Sequence, residues 1–307
     1  MAHGRFAPSP TGDLHLGNLR TALVAWLFAR SAGSRFLVRM EDLDRHQSSA
    51  EHERSQLSDL AALGLDWDEE VVRQSERFAL YEAAIAELTE RGLTYPCYCT
   101  RREIREAAAA PHRVPAPEGA YPGTCRRLSG PERVRREAEG RPPAVRLRVG
   151  RDDGPPIAVE VIDELAGPVR AVVDDVVLRR NDGVPAYNLA VVVDDADQGV
   201  EQVVRGDDLL SSAPRQRHLG ELLGLPHLRY AHVPLALNAA GQRLAKRDGA
   251  VTLADRRAMG ETPADVLSSL ASSLGLAEPG EPVSLAQLRA GFDPARLPAG
   301  PWIPDLP

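Results

Sequence analysis

The chain has 307 residues, 43% of them apolar and 26% charged, with a formal net charge of −7. That size buries a substantial core in one large domain or two, and the acidic balance excludes indiscriminate polyanion binding while leaving room for a local arginine patch. The N-terminus "MAHGRFAPSP" has no apolar signal segment and runs such as "TALVAWLFA" are far too short to span a bilayer, so the expected location is the cytoplasm, with no membrane partner.

In chain order, "GRFAPS" predicts a short strand ending at Pro8 and Pro10. Leu19, Leu23 and Leu27 recur at helical spacing, predicting a helix that begins near Gly17 and stops at Gly33. "RFLVRMED" is the next strand. Ser48 and Glu51 form a capping-box pattern before a helix that Gly64 ends, and a further helix runs from about Ser75 to Gly92. Strand–helix–strand order with short links predicts a parallel α/β sheet. From 93 to 185 the chain turns rich in Ala, Pro and Gly, and "DELAGPVRAVVDDVVLRR" reads as β-hairpin material, so this part is predicted to be an inserted subdomain. "YNLAVVVDD" and "EQVVRGDDLL" carry buried-strand signals, and "PRQRHLGELLGL" is again helical. The expected division is 1–92 and 186–250 as two halves of one α/β domain, 93–185 as the insertion, and 251–307 as a short helical segment with an irregular Pro-rich tail. No internal repeat is visible.

Three stretches carry chemistry. In "RFAPSPTGDLHLGNLRTALVAW" a strand ends in a Pro/Ser/Gly loop and a helix begins, and the first turn of a helix offers free N–H groups and partial positive charge to a phosphate. Gly17 lets a ligand approach the backbone, and His15 is placed to donate to a phosphate oxygen. For "HLGN" alone, a packed loop with a surface histidine is the plainer reading. "QRLAKRDGA" holds Lys246, the single lysine among 37 basic residues. Guanidinium is a planar fork and ammonium a compact point charge, so a lone lysine marks either a site that needs the compact ion or a stray survivor of composition drift. Cys97, Cys99 and Cys125 are too few and too close for a disulfide framework and point toward a metal. They are one short of a closed tetrahedral site, with His112 and Tyr121 the candidates for a fourth ligand.

The "HLGN" block resembles the HIGH signature of class I aminoacyl-tRNA synthetases that handle glutamate, and "RLAKR" resembles their KMSKS loop, with Lys246 on the second lysine. Arg243 and Ala245 depart from that pattern. The resemblance covers roughly residues 4–257. It implies a Rossmann-like parallel sheet split by a zinc-bearing α+β insertion. It implies catalytic roles for His15 and Lys246, and ATP contacts from His15, Gly17, Asn18 and Lys246, with Mg²⁺ assisting. Glutamate contacts fall on Arg5, Phe6, Ala7, Pro8, Ser9, Glu41, Tyr187 and Arg205. A bidentate arginine is the natural carboxylate fork, and Arg205 is the expected reader of the side-chain carboxylate. The pattern Cys-x-Cys … Tyr-x3-Cys implies one structural Zn²⁺ on Cys97, Cys99, Tyr121 and Cys125.

Only about 60 residues follow the KMSKS-like loop, and no anticodon-reading domain is expected from them. With "DDLLSSAPRQ", this likens the chain to a truncated branch of the family, the glutamyl-Q tRNA(Asp) synthetases. That branch implies tRNA-independent activation of L-glutamate by ATP, then transfer of glutamate to queuosine in the anticodon of tRNA(Asp), by a monomer. The alternatives are a truncated glutamyl-tRNA synthetase charging a tRNA 3′ end and a non-catalytic paralogue that binds glutamate or ATP. Retention of His15, Gly17 and Lys246 speaks for an enzyme.

Overall fold

The computed structural model describes residues 3–100, 102–104, 121–244 and 251–305. The strand β1 (His3–Phe6) leads through the Pro/Ser/Gly loop into α1 (Leu16–Ser31), then β2 (Phe36–Met40), α2 (Ala50–Ala62), β3 (Val72–Arg73) and α3 (Phe78–Glu90). Leu19, Leu23 and Leu27 are fully buried, as their spacing predicts. The rest of α1 is buried on nearly every side, because two C-terminal helices, residues 263–273 and 285–290, cover the face turned away from the sheet. Gly33 ends α1 with a positive φ of 65° that a side chain rarely adopts.

The small strands β4 (Thr94–Cys97), β5 (Ala144–Leu147) and β8 (Val177–Arg179) pair antiparallel as a separate three-stranded sheet, with the exposed helix α4 (Gly130–Ala138) beside it in sequence. Between β5 and β8 lie β6 (Ala158–Asp163) and β7 (Gly167–Val172), an antiparallel hairpin. The hairpin does not stay with the small sheet. It joins the large one, whose strand order is β3-β2-β1-β9-β10-β6-β7, where β9 is Val200–Gly206 and β10 is Arg229–Val233. Residues 93–185 therefore contribute to both sheets. Every pairing in the large sheet is parallel except that of β6 with β7, so the sheet is mixed rather than purely parallel.

Two expectations need correction. "YNLAVVVDD" is not a strand but the start of helix α5 (Tyr187–Asp197), which packs against α3 and α6 (Ala213–Leu222). A short continuous apolar run fits a buried helix as well as a buried strand, and here two helices cover it. The cap of α2 is Ser49, whose side chain accepts from His52 N–H, and not Ser48. The C-terminal part holds α7 (Leu253–Ala258), α8 (Pro263–Ser273) and α9 (Leu285–Ala290). Thr252, Thr262 and Ser284 each close a capping box at their starts. Among the described residues no helix is long and apolar enough to cross a membrane.

The chain leaves β1 toward β2 on one side, while β9 and β10 extend the sheet on the other. The order thus reverses between β1 and β9, and in open α/β sheets ligands bind outside the carboxyl ends of the strands at such a point. Phe6 and Gly206 end these two strands, so the loop before α1 and the turn after β9 face the same crevice.

Candidate active site

His15 is the N-cap of α1 and closes its own capping box. Its Nδ1 accepts from Asn18 N–H at 3.2 Å, while Asn18 Oδ1 accepts from His15 N–H at 3.2 Å. With Nδ1 engaged as an acceptor, the ring proton of the neutral imidazole sits on Nε2, which is left to donate. Burial, with Arg243 adding to it, lowers the His15 pKa to about 4, so the ring is neutral at physiological pH. At Gly17 a Cβ would lie 2.8 Å from Ala236 Cβ and 3.0 Å from the His15 ring, so the glycine also makes room for protein. Asp208 and Arg243, paired at 2.6 Å, flank this helix start.

The second group of side chains lines the same end of the sheet. Arg5, 2% exposed, donates from Nε to Asp195 Oδ1 at 3.2 Å and from Nη1 to Val204 O at 2.9 Å. Asp195 also meets Arg39 at 2.8 Å, and Arg39 reaches Glu41 at 3.5 Å. Burial pushes the Glu41 carboxyl above its usual range, with Arg39 and Arg5 pulling it back. Glu41 and Tyr187 both lie within electrostatic reach of Arg5 and Arg205, which places these four predicted residues in one cluster. Arg205 is 6% exposed. Its Nε is held by His232 Nε2 at 3.0 Å, whereas Nη1 and Nη2 reach Tyr187 OH and Leu209 O only at 3.5 and 3.4 Å. The fork is fixed by its stem and weakly engaged at its tips, a disposition suited to a carboxylate arriving from the crevice.

The remaining predicted glutamate contacts are spread along the strand end. Phe6 and Pro8 are buried, Ala7 is half-buried and Ser9 is exposed. Their backbone fixes the loop: Pro8 O accepts from Glu41 N–H at 2.9 Å and Ser9 O from Gln56 Nε2 at 3.0 Å. Lys246 and Ala245 lie outside the described residues, as does His112. The chain on either side of residues 245–250 is anchored to the start of α1. Leu16 N–H donates to Val251 O at 2.7 Å, His15 bridges to Thr252, and Leu244 packs with Ala236 and Val251.

Cys97, Cys99 and Cys125 converge, with their sulfurs all within 4.8 Å of one another. Tyr121 OH lies 3.4 Å from both Cys97 and Cys99 Sγ, and Cys99 and Cys125 Sγ are 3.3 Å apart. A tetrahedral zinc with Zn–S of about 2.3 Å separates its donors by roughly 3.5–3.8 Å, so this donor set fits the ion in type and nearly in spacing. Hydrogen bonds from the Cys125 and Cys99 thiols hold Cys97 far below the ordinary thiol range, and those to Cys125 and Cys97 push Cys99 up. Only with a cation among them would all three sulfurs be thiolates at this distance. The Arg146 guanidinium over the Tyr121 ring, 3.6 Å away, supplies only part of one.

Sequence reasoning passed over Arg39, Asp163, Asp195 and His232, all at most 2% exposed. Arg39 lies in the predicted strand "RFLVRMED" and Asp195 in "AVVVDD", and a buried charge inside an apolar run was the available signal. Asp163 and His232 gave none, because their pairing joins segments 69 residues apart.

Residues 1–280 match the family model for tRNA synthetases class I (E and Q), catalytic domain. The chain belongs to that family, and it is an ATP-dependent ligase of the aminoacyl-tRNA synthetase kind. Its relatives narrow the class. It is 64% identical over 300 residues to a glutamyl-Q tRNA(Asp) synthetase of Nocardia farcinica, covering 98% of this chain and 92% of that one. A glutamyl-Q tRNA(Asp) synthetase of Deinococcus radiodurans is 50% identical over 280 residues, 88% of each chain. Among solved structures, a glutamate tRNA ligase from Elizabethkingia meningosepticum, in complex with its amino acid, superposes with a TM-score of 0.80 at 27% identity, over 98% of this chain and 66% of that chain.

Proposed function

We propose that this chain activates L-glutamate with ATP in the absence of tRNA, and then transfers the glutamyl group to queuosine in the anticodon of tRNA(Asp). The single observation that carries the first step is the Arg205 fork, buried beside Tyr187, Glu41 and Arg5 at the carboxyl end of the strands, where α1 begins. Arg205 and Tyr187 take the side-chain carboxylate, Glu41 takes the α-ammonium, and Arg5 with the Phe6–Ser9 backbone encloses the amino-acid end. The amino end of α1, with Gly17 and Asn18, and the His15 Nε2–H face the triphosphate. A glutamate α-carboxylate oxygen attacks the α-phosphorus, the bond to the bridging oxygen breaks, and pyrophosphate leaves with that electron pair. Lys246 neutralises the leaving charge, a transition-state interaction of the kind that is usually a large catalytic term. Mg²⁺ supplies further charge on the phosphates. In the second step a hydroxyl of the queuosine cyclopentene ring attacks the glutamyl carbonyl, forming an ester and releasing AMP. Support for this acceptor comes from the names of the relatives in Nocardia and Deinococcus.

Residues 93–185 interrupt a catalytic domain formed by 1–92 and 186–250 and lend it the 158–172 hairpin, while the small three-stranded sheet is built around their remainder. In this insertion Cys97, Cys99, Tyr121 and Cys125, at the end of β4 and around the turn at Thr124–Arg127, would hold one structural Zn²⁺. Two measurements test the function together: glutamate-dependent ATP–pyrophosphate exchange without tRNA, and transfer of labelled glutamate to tRNA from cells with and without queuosine. Exchange without tRNA, and label that needs queuosine and survives periodate treatment of the 3′ ribose, support the reading. Exchange that requires tRNA, with label on the 3′ end, assigns a glutamyl-tRNA synthetase instead. No exchange in either condition assigns a binding paralogue.

A further inference from the structure

Arg205, His232 and Asp163 lie side by side across three neighbouring strands. Arg205 on β9 is the direct cross-strand partner of His232 on β10, and β10 pairs in turn with β6 at Tyr230 and Asp163. Arg205 donates from Nε to His232 Nε2 at 3.0 Å, and His232 Nδ1 meets Asp163 Oδ2 at 2.6 Å. The other Asp163 oxygen, Oδ1, accepts from Leu165 N–H at 3.0 Å, Ala166 N–H at 2.8 Å and His232 N–H at 3.2 Å. The His232 and Asp163 side chains have no exposed surface.

The polarity of this chain of bonds is forced. A guanidinium only donates, so His232 Nε2 must accept. The ring proton is then on Nδ1, pointed at a carboxylate oxygen that only accepts. A protonated imidazole would set Nε2–H against Arg205 Nε–H, and burial keeps the ring neutral by lowering its pKa. The hairpin turn between β6 and β7, through two backbone N–H groups on Asp163, thus dictates which edge of the His232 ring faces Arg205. Tyr230 adds a flat wall, with the guanidinium 5.7 Å from its ring centre and its ring stacked on His232 at 6.0 Å.

We propose that Asp163 and His232 are positioning residues for the substrate carboxylate: they fix the Arg205 guanidinium by its Nε and leave its two Nη groups turned to the amino-acid side chain. This rests on the reading of Arg205 as the reader of the glutamate carboxylate. Neither residue touches substrate. What they set is the orientation of the fork, and so the preference for a planar carboxylate over a neutral amide.

The decisive variant is Asp163→Asn, which changes one atom and removes one charge. The three backbone N–H groups hold the amide oxygen at the Oδ1 position, which leaves the amide N–H₂ facing His232 Nδ1. The imidazole must then carry its proton on Nε2, donor against donor with Arg205. The expected result in ATP–pyrophosphate exchange is a roughly 10–100-fold rise in KM for glutamate, the scale for a hydrogen bond to a charged group, with KM for ATP within about twofold of the parent. The ¹⁵N shifts of the His232 ring should report Nδ1–H in the parent and Nε2–H in the variant, which verifies the tautomer switch, while the split between the two KM values is the change that a merely structural role would not produce. His232→Gln, which keeps an acceptor toward Arg205 and a donor toward Asp163, should retain glutamate KM far better than His232→Leu. If Arg205→Ala raises KM for glutamate while Asp163→Asn and His232→Leu leave it unchanged in folded protein, the positioning role is overturned and the carboxylate reading stands. If Arg205→Ala itself leaves KM for glutamate unchanged, both fall.

Discussion

Gly17→Ala adds one methyl group where the start of α1 meets the segment that leads to the Lys246 loop. The new Cβ would sit 2.8 Å from Ala236 Cβ and 3.0 Å from His15 Cε1 and Nδ1. Carbon atoms are comfortable at about 3.5–4.0 Å, so roughly 1 Å must open between α1 and Ala236. Ala236 has little freedom to move: it is 4% exposed, accepts from Leu244 N–H at 3.0 Å and bridges to Trp302. Overpacking of this kind costs about 1–3 kcal/mol, against about 1 kcal/mol gained from alanine's helix propensity over glycine. The net expectation is a loss of about 0–2 kcal/mol and a Tm lower by up to about 4 °C. Activity should fall further, because the His15 ring is turned from its cap and one donor to the phosphates goes with it. Glutamate-dependent exchange should drop by at least about 10-fold, toward the 10²–10³ seen for a lost transition-state donor. Adding Ala236→Gly removes the 2.8 Å contact but not those with the imidazole. Against Ala236→Gly alone, Gly17→Ala should then be nearly neutral in Tm and still impaired in exchange. A single variant with the parent's melting curve and exchange rate would refute both the packing account of Gly17 and the role of the His15 ring.

Other outcomes follow from the site. Lys246→Ala should lower exchange by roughly 10²–10³, and Lys246→Arg should also lose activity, because a planar fork does not replace a compact ammonium; full rate in the arginine variant argues against the point-charge role. Metal analysis of purified protein should find about one zinc per chain, and Cys97→Ser, like extraction with a chelator, should lower the Tm; a metal-free protein with unchanged Tm removes the zinc. His15 is neutral in the folded chain down to about pH 4 but titrates near 6.5 when unfolded, so the unfolded chain binds more protons between these values. Its contribution to stability is therefore complete above about pH 6.5 and lost as pH falls toward 4, up to about 3 kcal/mol. His15→Gln should destabilise less on acidification across that window, and an equal slope for both proteins contradicts the shift.

What could be read in the sequence was local, and what could not be read was assembled across strands. The leucine spacing of α1, the glycine that ends it and the Pro/Ser/Gly loop before it are encoded within one stretch, and the structure keeps them. "YNLAVVVDD" misled because four successive buried residues, Leu189 to Val192, have no period to betray a helix. The 158–172 hairpin was legible as strands but not its partner, since its docking on β10 depends on the 229–233 strand some 60 residues later. The described part of the tail, residues 298–305, is irregular as its prolines dictate, yet Trp302 pairs with Leu235 and Leu237 and supports Ala236 under α1. Arg205 was found because its neighbours in "VVRGDDLL" fit a known pattern. The His232 and Asp163 that orient it stand in unremarkable strands, and only the sheet order brings the three together.

The most direct measurement is a crystal structure of the full chain with a non-hydrolysable glutamyl-adenylate analogue. The account predicts the side-chain carboxylate on the Arg205 Nη groups and Tyr187 OH, and the phosphate linkage at the start of α1 within hydrogen-bond reach of His15 Nε2. An analogue bound with its carboxylate away from Arg205, or its phosphate away from α1, would contradict it.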